Sequence, residues 1–159
     1  MKNYTEKELK LKAETYCSSA ERCPVEVEEK LKQWGAEAEV AEQILASLFK
    51  ERYLDTARYC CFFVRDKYRF NQWGRMKIAQ ALRMKRLPVK DIEVGLEEID
   101  EDEYAGILKK MLHQKMRSIK AKTPYEQSVK LIRFAVGRGF TMDEVLRYVK
   151  QVEADGYLD

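Results

Sequence analysis

The run Arg65-Asp66-Lys67-Tyr68-Arg69-Phe70-Asn71-Gln72-Trp73-Gly74-Arg75-Met76-Lys77 alternates cations with aromatic residues. Guanidinium and ammonium groups donate to phosphate or carboxylate oxygens, while aromatic faces stack on bases or pack guanidinium groups. The chemistry on offer is recognition of a polyanion or an acidic surface. From Thr56 to Lys90, the cations Arg58, Arg65, Lys67, Arg69, Arg75, Lys77, Arg83, Lys85, Arg86 and Lys90 face Asp66 alone, a local balance of +9. An ordinary solvated face mixes its signs, because like charges repel. These cations are therefore read as facing a partner. Phe62, Phe63, Phe70 and Trp73 are read mainly as core, since Phe63, Phe70 and Trp73 recur near helical spacing. Asp91 to Glu103 then carries eight carboxylates and no base, and Tyr104 to Lys122 returns to +6 through Lys109, Lys110, Lys115, Arg117, Lys120 and Lys122. The overall balance of +3 conceals this arrangement.

No catalytic grouping accompanies the cations. His113 is the one histidine of the chain, and the sequence holds no Gly-rich phosphate loop, HExxH, GxSxG or spaced Cys/His cluster. An enzyme is not expected, nor is a cofactor or a metal. His113, within Lys109-Lys110-Met111-Leu112-His113-Gln114-Lys115, reads as a solvated or partner-facing side chain. The acidic block lacks EF-hand spacing and reads as mostly one helix burying Ile92, Leu96 and Ile99. Cys17, Cys23, Cys60 and Cys61 lack paired CxxC spacing, and adjacent Cα atoms about 3.8 Å apart suit a disulfide poorly. Reduced core thiols in a reducing cytoplasm are the expectation. No apolar stretch follows Met1, and the longest apolar run, Tyr59 to Val64, is far short of a membrane span.

The elements that must position the cations follow from a repeat. Ile78, Leu82, Leu87, Ile92, Leu96, Ile99 and Tyr104 have counterparts 53 positions later in Leu131, Ala135, Phe140, Val145, Val149, Val152 and Tyr157. A backward shift of 51 gives Val27, Leu31, Ala36, Ala41, Leu45, Leu48 and Tyr53. Seven glycines, three prolines and 36% charged residues favour helix over sheet. Thr123-Pro124-Tyr125-Glu126 and Thr141-Met142-Asp143-Glu144 have capping-box form. Pro24, Pro88 and Pro124 suit helix starts, and Gly35, Gly74, Gly137 or Gly139, and Gly156 mark turns or helix ends. The expected fold is all-α: three tandem three-helix repeats at 1–54, 55–101 and 102–159, the first most degenerate, stacked in an elongated or curved array. Helices are expected over about 5–19, 24–34, 37–51, 55–71, 74–86, 88–100, 102–120, 124–137 and 142–155.

Tyr53-Leu54-Asp55-Thr56-Ala57-Arg58-Tyr59, then Phe63-Val64-Arg65-Asp66-Lys67, then Trp73-Gly74, resemble the central signature of RecX regulatory proteins. The ending Gly156-Tyr157-Leu158-Asp159 echoes Tyr53-Leu54-Asp55. The chain departs from the family pattern at Thr56, where a second acidic residue is usual, at Cys60, where a small residue is expected, and at Glu103-Tyr104-Ala105. The resemblance implies a non-enzymatic protein, monomeric by expectation, that lies in the groove of a RecA filament on DNA and limits its growth, ATP turnover and strand exchange. The charge pattern, joined to this resemblance, gives as the expected contacts with filament or DNA Arg58, Arg65, Lys67, Arg69, Arg75, Lys77, Arg83, Lys85 and Arg86, extended by Lys109, Lys110, Lys115 and Arg117. A freestanding nucleic-acid-binding module would use the same cations without RecA. A redox or metal enzyme built on Cys60 and Cys61 is the more remote third reading.

Overall fold

The computed structural model describes residues 3–158, the last three of these as backbone only, and contains nine helices and no strand among the described residues. These are α1 (Glu6–Ser19), α2 (Pro24–Gln33), α3 (Ala38–Lys50), α4 (Thr56–Phe70), α5 (Arg75–Met84), α6 (Val89–Leu96), α7 (Glu101–Ser118), α8 (Pro124–Gly137) and α9 (Met142–Leu158). Asp159 and the side chains of Tyr157 and Leu158, assigned above to a repeat of Tyr53-Leu54-Asp55, lie outside the described residues. The backbone groups into two compact units. One holds residues through Phe62 with Leu82–Gly95, and the other holds Phe63–Ala81 with Leu96 onward.

In the first unit α1, α2 and α3 pack pairwise around Leu9, Ala13, Val27, Leu31, Ala41, Ile44, Leu48 and Leu54. Gly95 of α6 lies so near Cys60 of α4 that a Cβ would stand 2.9 Å from its backbone. In the second unit α7, α8 and α9 pack pairwise, with Leu108, Leu112, Leu131, Ala135, Val145 and Val152 buried at their centre. The aromatic column Tyr68, Tyr104 and Phe140 extends that core, its ring centroids 6.2 and 5.2 Å apart. Full burial of each aliphatic side chain is worth about 1.5–3 kcal/mol, so the apolar positions of the repeat dominate the stability of both units.

The repeat is written in the backbone as well as in the core. Gly35, Arg86 and Gly139, spaced by the same 51 and 53 positions, all adopt left-handed φ angles, +87°, +59° and +100°. After each comes the equivalent apolar residue, whose N–H reaches five residues back: Ala36 to Leu31, Leu87 to Leu82 and Phe140 to Ala135. This is the Schellman closure of a helix, in which a left-handed residue lets the next N–H satisfy an orphan carbonyl. Glycine tolerates the conformation without penalty, and Arg86 holds it at a cost of about 1–2 kcal/mol.

Capping follows the Thr/Glu spacing with one change. Thr141 and Glu144 exchange both bonds, at 3.2 and 3.3 Å. Thr123 accepts from the Glu126 N–H, but the Glu126 carboxylate takes the N–H of Lys122 instead. Thr5 and Glu8 form a further complete box. The expected 88–100 helix ends early, at Leu96, which is half-buried. Its last turn carries no base to oppose the carbonyl charge, whereas Asp100 accepts the Glu103 N–H at 3.0 Å and starts α7 with Glu101, Asp102 and Glu103 in the first turn. The acidic block is thus split between the end of one helix and the start of the next.

Glycine substitutions separate backbone conformation from crowding. At Gly35 nothing lies within 4 Å of an added Cβ, so Gly35→Ala costs only the left-handed backbone, about 1 kcal/mol. At Gly139 the Cβ would stand 2.3 Å from that of Lys77, and overpacking brings the expected cost of Gly139→Ala to about 3 kcal/mol. Urea unfolding of the two variants measures both; equal costs would contradict the packing at Gly139.

Candidate polyanion-binding surface

The basic-aromatic run occupies the end of α4, the loop 71–74 and the start of α5, all in the second unit. The loop turns at Gln72, with φ +56°, and is tied by backbone bonds to the turn after α8. Gly74 N–H donates to the Arg138 carbonyl and Met76 N–H to the Gly139 carbonyl, both at 2.9 Å. The Arg138 side chain donates to the carbonyl of Asn71. A Cβ on Gly74 would lie 2.2 Å from Gly139, so contact this close requires glycine at 74.

On this loop Trp73 is half-buried, edge-on to buried Phe63 at 6.4 Å. Lys67 and Lys77 stand over its ring at 5.1 and 4.4 Å, so one indole holds two ammonium groups in place. Beside them Phe70 is 80% exposed and Met76 56%. The reading of the four aromatics as core therefore holds for Phe63 and in part for Trp73, but Phe62 and Phe70 are exposed. Phe70 is the last residue of α4, where the chain leaves the packed face.

The arginines of the run are engaged with the chain's own carboxylates. Arg65 pairs with Glu98 at 3.1 Å. Arg69 makes a fork to Glu103, 2.8 Å from Nε and 3.3 Å from Nη2, which raises its pKa. Arg75 lies between Glu101 at 2.7 Å and Glu144 at 2.6 Å, over the ring of Tyr104 at 4.6 Å. Burial acts to lower the pKa of Arg75, yet its bond to Glu101 and the charge of Glu144 more than offset this, and the pKa is raised. Glu144 is the hub: it accepts from Arg75, from the Tyr104 hydroxyl at 2.8 Å and from the Thr141 N–H. The Tyr104 oxygen in turn accepts the Arg75 N–H at 3.0 Å, and burial pushes its phenol pKa up. Tyr104 and Glu144 emerged from the sequence only as a core position and a cap.

Of the α7 cations, Lys109 stands over Tyr148 at 4.8 Å and Lys115 over Phe134 at 4.6 Å, while Lys110 and Arg117 are exposed. His113 is half-buried with Nε2 4.0 Å from Asp155, beyond hydrogen-bond reach. In the first unit Arg58 braces the turn before α4, pairing with Glu21 at 2.8 Å and donating to the carbonyls of Arg52 and Tyr53 at 3.3 Å. Lys85 pairs with Glu26 at 3.5 Å. Arg83 and Arg86 are exposed, next to Met84 at 78% and Val89 at 63% exposure. The thirteen candidates therefore divide. Some meet carboxylates or ring faces within their own unit, and Arg83, Arg86, Lys110 and Arg117 are exposed with no ion pair among the described residues.

Cys23 and Cys60 are buried thiols, and burial pushes Cys60 up to about 12. A thiol held neutral at ordinary pH is a poor nucleophile. Among the described residues no group of three His, Cys, Asp or Glu side chains is placed to hold a metal ion, and no helix is long and apolar enough to cross a membrane.

Two family models match the chain: the second three-helix domain of RecX over residues 55–96 and the third over residues 101–149. A regulatory protein RecX of Pseudomonas entomophila is 33% identical over 124 residues, covering 77% of each chain. One from Chlorobaculum tepidum is 29% identical over 127 residues, 80% of this chain and 77% of its own. A crystal structure of RecX from Lactobacillus salivarius superposes with a TM-score of 0.83 at 16% identity, covering 94% of this chain and 97% of the other. A second, of a regulatory protein RecX, has a TM-score of 0.80 at 23% identity, covering 92% of this chain and 73% of the other.

Arg75 and Lys77 are two positions apart and do different work. Arg75→Gln leaves Glu144 half-buried without its guanidinium and is expected to destabilise the fold by about 2–4 kcal/mol. Lys77→Gln loses one cation over an indole, about 1 kcal/mol or less. Denaturant unfolding of both variants checks the division; a cost at Arg75 no larger than at Lys77 would contradict it.

Proposed function

The chain belongs to the RecX family of regulatory proteins, and on that premise we propose that it is a non-enzymatic regulator of recombination and DNA repair. In this reading it binds the RecA filament on DNA in the cytoplasm and inhibits ATP turnover and strand exchange. RecA is the ATPase. The protein supplies surface, built from three consecutive three-helix repeats at 1–54, 55–101 and 102–159; the family domains at 55–96 and 101–149 support the last two.

The observation that carries the proposal is the composition of the loop surface. Lys67 and Lys77 are held on Trp73, and exposed Phe70 and Met76 lie within the same run. Cations alone serve phosphate. Large exposed apolar side chains among them suit a protein surface, where a flexible methionine and a phenyl ring bury area that DNA backbone does not offer. In the first unit, Met84 and Val89 among Arg83, Arg86 and Lys90 repeat the combination. A filament of protein on DNA presents both kinds of partner.

Purified protein at substoichiometric amounts is expected to inhibit the DNA-dependent ATP hydrolysis of RecA. The variant Lys67→Glu/Lys77→Glu/Phe70→Ala, folded by circular dichroism, is expected to need at least about tenfold more protein for the same inhibition, a loss of about 1.4 kcal/mol. Undiminished inhibition by the variant would remove the loop from the interface. Strong DNA binding with no effect of the wild type on RecA would favour a freestanding nucleic-acid module.

A further inference from the structure

We propose that Glu98 and Glu103 are specificity residues of this surface: by engaging Arg65 and Arg69 they suppress binding to bare nucleic acid, and so leave docking to a composite surface of protein and phosphate. The inference rests on the regulatory reading above and extends it to what the surface refuses.

The two carboxylates hold the donors that a phosphate would need. Arg69 offers Glu103 its Nε and Nη2 at 2.8 and 3.3 Å, the two-pronged geometry by which arginine grips a phosphate, and Arg65 offers Nη1 to Glu98 at 3.1 Å. A phosphate approaching either arginine meets a negative charge already in its place. Bare DNA attracts proteins almost entirely through such phosphate contacts.

These pairs also contribute little to the fold. The side chains of Arg65, Glu98, Arg69 and Glu103 are 42, 39, 41 and 39% exposed, the range in which ion pairs are screened and exchange partners readily. The contrast is Arg75, whose partner Glu144 is only 17% exposed and also serves Tyr104 and the Thr141 cap. Those bonds hold the loop. Glu98 makes no such bond among the described residues, and Glu103 adds only a 3.5 Å contact with the Tyr68 hydroxyl. Acidic residues whose main contact is to exposed arginines of a basic surface cost that surface phosphate affinity, and selectivity against naked DNA is what that cost obtains. An unwanted ligand is refused by occupying its contacts.

The test is anisotropy of a labelled single-stranded oligonucleotide titrated with the full-length wild type, Glu98→Gln/Glu103→Gln, Arg65→Gln/Arg69→Gln and the fourfold variant, over a range of salt. The glutamate variant is expected to bind at least about fivefold tighter at low salt. Its logarithmic salt slope should steepen by about 1.4, the release of counterions at two further phosphates of a single strand. Arg65→Gln/Arg69→Gln, which leaves both carboxylates without their cations, should bind more weakly than the wild type, and the fourfold variant should lose the gain and bind much as the wild type does. Glu98→Gln alone, which leaves the Tyr68–Glu103 contact in place, should show about half the change in slope. Unchanged affinity and slope in the glutamate variant, a gain that survives in the fourfold variant, or no binding by any of the four proteins overturns the proposal. The RecA assay is read separately: a wild type without effect on RecA counts against the regulatory reading, while the DNA titration still decides the role of the two glutamates.

Discussion

Where the loop after α4 meets the turn after α8, two backbones lie so close that neither Gly74 nor Gly139 has room for a Cβ. Two N–H groups cross that contact to carbonyls at 2.9 Å, and the Arg138 side chain adds a third bond. Buried backbone donors that are paired in this way are costly to release. The placement of Trp73, and with it Lys67 and Lys77, follows from this contact, as does the start of α5 at Arg75. From there the Arg75 backbone and guanidinium reach Tyr104, Glu101 and Glu144, so that α5, α7 and α9 share one polar junction beside the aromatic column. The loop that carries Trp73 and its two lysines is therefore held by the fold itself.

The second consequence concerns charge. A chain with separate basic and acidic blocks folds so that part of one answers part of the other, because Glu98 in the turn after α6, and Glu101 and Glu103 at the start of α7, face Arg65, Arg75 and Arg69. Carboxylates at a helix N-terminus are favourable on their own account. Glu103 then serves the helix and tempers the surface as well. The cations without a carboxylate partner are fewer than the count of cations suggests, and exposed apolar side chains lie among them in each unit: Phe70 and Met76 in the second, Met84 and Val89 in the first.

Much of the fold was legible in the sequence. The apolar positions shifted by 51 and 53 identified the repeat, and the described members of the set are buried or half-buried in the structure. Thr141-Glu144 and the prolines gave helix starts that the structure has, and Gly139, rather than Gly137, proved to be the left-handed residue after α8. Local signals of this kind act within one or two turns, which is why they can be read from spacing. The end of α6 was not, because Asp100 competed successfully as a cap with helix continuation through Ile99. The ion pairs were not legible either. They join residues 26 to 69 positions apart, and nothing in a basic run tells which of its members will meet a carboxylate. For the same reason the charge run alone read Arg58 and Arg75 as partner-facing, whereas their donors meet the carbonyls of a turn and the carboxylates of a helix junction. Phe70 was assigned to core by its spacing, yet a helix's final residue need not follow the stripe that precedes it.

The most direct test of a loop held by the fold is amide hydrogen exchange at Gly74 and Met76 in the isolated protein. If the contact with Arg138 and Gly139 holds the loop, both amides exchange only through openings with a free energy close to that of global unfolding, as core helix amides do. Exchange of Gly74 and Met76 at the rate of exposed loop amides would show that the loop opens locally, and would contradict the claim that the fold itself positions Trp73 and its two lysines.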